Sequence, residues 1–133
     1  MRVFLDTNVL VSAFSTRGLC ADILREVLGA HELIVSEQVL SELRRILVEK
    51  FGVPNEIADE IDGFLREDSV FGDPEPLIDL VFDDKDDVPI LSAAVHGNTK
   101  LFVTGDKAVH ALGRIGAMRI YLPREFWNEL RNA

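Results

Sequence analysis

The sequence predicts an α/β fold built on a mainly parallel central sheet. Two observations lead there. Short apolar runs alternate along the chain with longer stretches of helical period. No internal repeat or low-complexity linker divides the 133 residues, a length that encloses one proper hydrophobic core.

The elements follow in order. "RVFL" (2–5) is a short apolar run and reads as the first strand. "NVLVSAF" and "CADILREVLGA" (20–30) read as helical, the second with Ile23, Leu24, Val27 and Leu28 on one stripe and Gly29 as its stop. "ELIVS" (32–36) is the second strand, ending on Ser36 as a helix N-cap. "EQVLSELRRILVEKF" then carries Val39, Leu43, Ile46 and Leu47 at helical spacing. "FGVPNE" breaks that helix, and "NEIADEIDGFLRE" (55–67) starts another, with Ile57, Ile61, Phe64 and Leu65 expected inward. "GDPEP" (72–76) is a loop, and "LIDLVF" (77–82) is either a strand or an extended approach to the acid run "DDKDD". A helix from about Val88 to His96, the strand "KLFVTGD", the strand "AMRIYLP" and the helix "REFWNELRN" complete the chain.

Composition limits the function. The net charge is −9, from 23 acids against 14 bases, which argues against a bare electrostatic nucleic-acid binder. Such a surplus is either a solvated surface or a set of acids gathered around a divalent cation. The single cysteine, Cys20, excludes an internal disulfide framework and fits a reducing cytosol. "MRVFLD" reads as neither a signal peptide nor a membrane span, so a cytoplasmic protein without membrane attachment is expected.

The acids have a shared address. In an open parallel sheet, ligands bind beyond the C-terminal strand ends. Asp6 follows the first strand, Asp106 follows "LFVT", Asp87 opens the helix before that strand, and Glu42 lies in the helix after the second strand. Each has a simpler explanation. Asp6 and Asp87 suit helix N-caps, Asp106 suits a turn after Gly105, and the helical wheel does not choose between Glu42 and Glu49. Asp83, Asp84 and Asp86 suit a solvated loop. Together, however, four carboxylates at one sheet end repel unless protonated or bound to a cation. His31, His96 and His110 show no ligand spacing, so oxygen-only ligation points to Mg²⁺ or Mn²⁺.

"VFLDTNVLVSAF", "VSEQVLSELRRIL", "DDKDDVPILSAA" and "LFVTGDK" together resemble a PIN domain, of the toxin–antitoxin PIN group related to VapC-like toxins. The resemblance runs in order from Arg2 to Tyr121. It implies a single nuclease domain over 1–133, on a three-layer α/β/α fold, hydrolysing RNA phosphodiesters with Mg²⁺ or Mn²⁺. By motif, it assigns Asp6, Glu42, Asp87 and Asp106 as catalytic metal ligands, and so prefers Glu42 to Glu49. Thr7, Asn8 and Thr104 match supporting polar positions. In "DDKDD", the apolar residues two and three positions on favour Asp87 over Asp86. One departure is "AVHALG" after "TGDK", where relatives often carry another acid and then leucines. The resemblance further implies an RNA substrate, a homodimer and, for a toxin, a small antitoxin protein as partner. Arg17, Arg44, Arg45 and Lys107 are candidates to grip phosphates, with a solvated face as the simpler role for Arg44 and Arg45. Phe126 and Trp127 suit core closure better than RNA stacking.

Three other functions compete. A catalytically silent PIN-like module would act by forming protein or RNA complexes. A phosphatase with an Asp after its first strand would want a second Asp two residues on, where Asn8 stands. A receiver domain would want an acidic pair at that strand end and a phosphorylatable Asp in mid-chain, and neither pattern is convincing here.

Overall fold

The computed structural model describes residues 1–132. In chain order the elements are β1 (Arg2–Leu5), α1 (Thr7–Ser15), α2 (Leu19–Ala30), β2 (Glu32–Val35), α3 (Glu37–Glu49), α4 (Asn55–Glu67) and β3 (Ser69–Phe71). There follow α5 (Asp87–His96), β4 (Leu101–Val103), α6 (Lys107–His110), β5 (Arg114–Ile115), β6 (Met118–Tyr121) and α7 (Pro123–Arg131). The strand order is β3-β2-β1-β4-β6-β5, and every pairing is parallel except β5 with β6. The α/β expectation therefore holds.

Burial explains the layering. Val3, Phe4 and Leu5 are each 0% exposed, so both faces of β1 are covered, as a parallel sheet between helices requires. Phe4 and Phe102 are register partners on β1 and β4, and their rings stack with centroids 5.1 Å apart. From β1, the order runs outward through β2 and β3 on one side and through β4 and β6 on the other. The order reverses between β1 and β4, which makes that crevice the topological switch point.

Several local expectations need correction. Helix α2 passes through Gly29 and ends after Ala30, with the His31 amide still donating to the Val27 carbonyl. A glycine with helical φ is tolerated there, so it marks no boundary. In α4 the buried side chains are Ala58 and Leu65, with Ile61 half-buried. Ile57 and Phe64 are 44% and 45% exposed, because the inward stripe is centred one residue further round the helix. Strands β3 and β5 and helix α6 span two to four residues, too short to show a period.

Residues 77–82 take the extended alternative and not the strand. Ile78, Leu80 and Phe82 pack against the core, while Leu77 and Val81 face solvent. The Ile78 amide donates to Ser92 Oγ at 2.9 Å, replacing a sheet partner. This strap starts beyond Gly72, whose amide donates to the Val35 carbonyl at 2.9 Å. A Cβ at Gly72 would stand 2.0 Å from the Ala93 carbonyl oxygen in α5. Gly72→Ala must therefore push α5 away, at about 2–3 kcal/mol by the usual cost of overpacking. A clear drop in thermal midpoint is expected by circular dichroism, and an unchanged midpoint would contradict this close approach.

Candidate metal centre

The switch point puts Asp6 and Thr104 side by side. The Asp6 amide donates to the Val103 carbonyl at 2.9 Å, and the Thr104 amide donates to the Tyr121 carbonyl at 3.0 Å. Asp6 is the N-cap of α1, and its Oδ1 accepts from the Thr7 amide at 2.8 Å. Its other oxygen, Oδ2, accepts from Thr104 Oγ1 at 2.7 Å and from Asn8 Nδ2 at 3.3 Å. The residue is only 5% exposed. Burial raises its pKa, Glu42 adds repulsion, and the bonds from Thr104, Thr7 and Asn8 oppose the rise without cancelling it. The cap expected from sequence is real, but three donors and a buried carboxylate exceed what a cap needs.

Glu42 reaches the same place from α3. Its Oε1 accepts from Thr7 Oγ1 at 2.8 Å, and its Oε2 accepts from Gln38 Nε2 at 3.1 Å. Gln38 Nε2 also donates to the Asp86 carbonyl at 2.9 Å, which ties α3 to the start of α5. Glu49 is exposed and sits 3.8 Å from Arg45. In position the two differ: Glu42 is linked through Thr7 to Asp6, and Glu49 faces solvent. Gln38 has no signature of its own in the sequence. Its place one turn before Glu42 is the signal that could have found it.

Asp106 caps α6, with Oδ1 accepting from the Ala108 amide at 2.8 Å and the Val109 amide at 3.3 Å. Its own amide donates to Thr104 Oγ1 at 3.0 Å, so one hydroxyl links Asp6 to Asp106. Gly105 lies between them, its amide donating to Asn8 Oδ1 at 2.7 Å, and a Cβ there would come within 3.1 Å of that oxygen. Asp87 does not take the cap expected of it. Asp86 holds the N-cap position without a side-chain bond, and Asp87 is the first helical residue. The turn around Asp84 causes this, because Asp84 Oδ1 accepts from the Asp86 amide at 3.0 Å and its carbonyl accepts from the Asp87 amide.

Electrostatics bind the four acids into one group. Asp87 is pushed up to about 7, first by burial and then by the carboxylates of Asp84, Asp6, Asp106 and Glu42. Asp84, read from sequence as a loop acid, belongs with this group. Asp83, Asp84, Asp87 and Asp106 line a depression of about 290 Å³ walled by Val81 and Phe82. As placed, no three His, Cys, Asp or Glu side chains among the described residues converge closely enough to hold an ion. The chemistry of the donors nevertheless fits a hard divalent cation: every candidate is a carboxylate, and Asp106 Oδ2 makes no bond among the described residues.

Comparison with known families matches residues 2–108 to the PIN domain. The chain belongs to the PIN-domain family. Among solved structures, this PIN domain is similar to a chain of the VapBC2 complex of Rickettsia felis bound to a promoter DNA fragment. The two share 20% identity over 92% of this chain and 98% of that one, with a TM-score of 0.63. At that identity the likeness is one of fold. No curated protein matches this PIN domain.

The remaining candidates fall elsewhere. Arg44 pairs with Asp59 at 2.7 Å and Arg45 lies 3.8 Å from Glu49, which favours the solvated-face reading of both. Arg17 and Lys107 are exposed. His110 Nε2 lies 2.7 Å from Glu125, and His96 Nδ1 lies 2.7 Å from the Asp73 carbonyl, so both have structural partners. Phe126 is fully buried in the core, and half-buried Trp127 carries the Arg131 guanidinium over its ring at 4.6 Å. No helix among the described residues is long and apolar enough to cross a membrane.

Proposed function

We propose that this PIN domain is a Mg²⁺- or Mn²⁺-dependent endoribonuclease and the toxin of a toxin–antitoxin pair. The observation that carries the reading is that Asp6, Asp106 and Glu42 all lie near enough to Asp87, beyond the β1/β4 switch point, for their charges to act on it. Those four carboxylates would hold the cation. When bound, it would lower the pKa of water and neutralise charge developing on the phosphate.

The chain's own residues prepare this site. Thr104 and Asn8 fix Asp6 Oδ2, the Thr7 amide fixes Oδ1, and Thr7 Oγ1 orients Glu42. Asp106 gives Oδ1 to its cap and leaves Oδ2 for the cation. Gln38 holds Glu42 against the start of α5, where Asp87 stands. An antitoxin is the protein partner we assign, in line with the fold's likeness to a chain from a VapBC complex. The exposed apolar side chains of α4 (Ile57, Phe64) and of the edge strand β3 (Val70, Phe71) would serve such a partner or a second copy in a homodimer.

Glu42→Gln is expected to lower RNA cleavage by at least about tenfold, as loss of a ligand or of its support does, whereas Glu49→Gln should leave it near wild type. The measurement is initial cleavage rate of a labelled RNA with Mg²⁺ or Mn²⁺, beside a chelated control. Equal losses in the two variants would overturn the assignment along α3. Cleavage surviving complete chelation would overturn the metal. A pure, metal-loaded protein that cuts no RNA but still captures its partner would favour the silent binding module.

A further inference from the structure

From the end of the sheet away from the acids, a groove of about 760 Å³ runs along β6, walled by the N-terminal approaches to β1, β2 and β4, the β5–β6 hairpin, α2 and α7. Strands of three or four residues put its Lys100 end about 10–13 Å from the acid group, while Tyr121, whose carbonyl accepts from the Thr104 amide, is its end nearest to the acids. Lys100, Arg114 and Arg119 all line it, in a chain whose net charge is −9. Arg114 and Arg119 are direct register partners in the antiparallel β5–β6 pair. Like charges placed directly opposite destabilise a hairpin. The Lys100 carbonyl accepts from the Arg119 amide at 3.0 Å, which brings a third cation alongside. Among the described residues, none of the three forms an ion pair. Arg119 Nη1 donates to Tyr121 Oη at 3.4 Å, and Glu129 in the same wall acts on its charge, although neither Glu129 nor Glu26 makes an ion pair with the three. Tyr121 and Leu130 add an aromatic and apolar wall. The groove meets a second depression of about 440 Å³ at Lys100 and Ala117, giving an elongated track.

We propose that this track binds single-stranded RNA, with Arg114, Arg119 and Lys100 on its phosphates and the Tyr121 wall against a base. Cations along a groove beside an aromatic surface are the common means of holding a single strand without reading its sequence. An anion between Arg114 and Arg119 also resolves the cross-strand repulsion that the hairpin otherwise carries. The choice of RNA rests on the ribonuclease reading; the site itself rests on the groove.

The test is fluorescence anisotropy of a labelled RNA of about 12 nucleotides, with chelator present so that metal-dependent cleavage is silent. Salt is varied between about 50 and 200 mM. R114S/R119S is expected to weaken binding about tenfold or more and to flatten the log–log salt slope by about 1.4, as two lost single-strand phosphate contacts should. R114E separates binding from folding. It replaces the repelling cross-strand pair with an attracting one, so its thermal midpoint should equal or exceed wild type while RNA binding is lost. Unchanged affinity and salt slope in both variants would overturn the proposal. So would inorganic phosphate or uridine monophosphate binding as tightly as the strand, which would make the groove a small-anion site. Because the assay needs no cleavage, a protein that binds through these arginines but cuts nothing would defeat the nuclease reading alone.

Discussion

Asp6→Asn is expected to abolish cleavage while leaving the metal-free protein as stable as wild type or slightly more so. Asn caps helices nearly as well as Asp, so the bond from the Thr7 amide, 2.8 Å in the wild type, is kept. The side chain is 5% exposed, and burial and Glu42 together outweigh its three donors in setting its pKa. Removing the charge therefore relieves more than it costs. The loss of one acceptor at the oxygen shared by Thr104 and Asn8 offsets part of that gain. A ligand's removal should cost at least about a hundredfold in rate, beyond the 10–100-fold typical of supporting partners. Thermal unfolding with and without Mg²⁺ at fixed ionic strength reads the second arm. Metal should raise the wild-type midpoint and raise that of the mutant less. An active mutant with an undiminished metal shift would leave Asp6 as a helix cap and nothing more.

What the sequence made legible was periodic or motif-bound. Helices of nine residues or more, such as α3 and α7, carry two or more turns of pattern, and β1, β2 and β4 are buried on both faces, so their apolar runs stand out. Strand β3 offers no such signal because it is an edge with Val70 and Phe71 exposed, and helix α6 offers none because it is a single turn. The exposed Ile57 and Phe64 misled for a different reason. Apolar residues on both shoulders of α4 make its wheel ambiguous, and only the packing of Ala58 and Leu65 against the core fixes its rotation. At the site, each acid was visible separately, but the links between them were not. Thr104 Oγ1 reaches Asp6 across 98 residues of sequence while holding the Asp106 amide, and Gln38 reaches the Asp86 carbonyl across 48 while holding Glu42. Such contacts follow from the strand order, which no local pattern encodes. Asp84 was hidden in a run of like residues, where charge alone does not tell a solvated acid from one turned toward the group.

Asp87 should make the metal-free protein more stable in mild acid and make metal binding stronger in mild base. Its pKa rises from 3.8 to about 7 on folding, through burial and the carboxylates of Asp84, Asp6, Asp106 and Glu42. Between those values the native state holds a proton that the unfolded chain has lost. Native stability therefore falls as pH climbs toward 7 and levels off above it. Asp6 is raised too and acts in the same direction. His31 is lowered from 6.5 and acts oppositely at the acidic end of this range. Asp87→Asn separates them, because it deletes the Asp87 slope and keeps the His31 slope. The difference in thermal midpoint, wild type minus mutant, should become more negative from pH 5.5 to 8, about the usual range around the raised value. Mg²⁺ reverses the trend, since proton and cation compete for the same carboxylate oxygens. The metal-induced rise in wild-type midpoint should grow from about pH 6 to 8 and be small throughout in Asp87→Asn. A wild type and mutant with parallel pH profiles, with and without metal, would remove Asp87 from the metal group. The cation would then rest on Asp6, Glu42 and Asp106, with α5 serving only as a wall of the site.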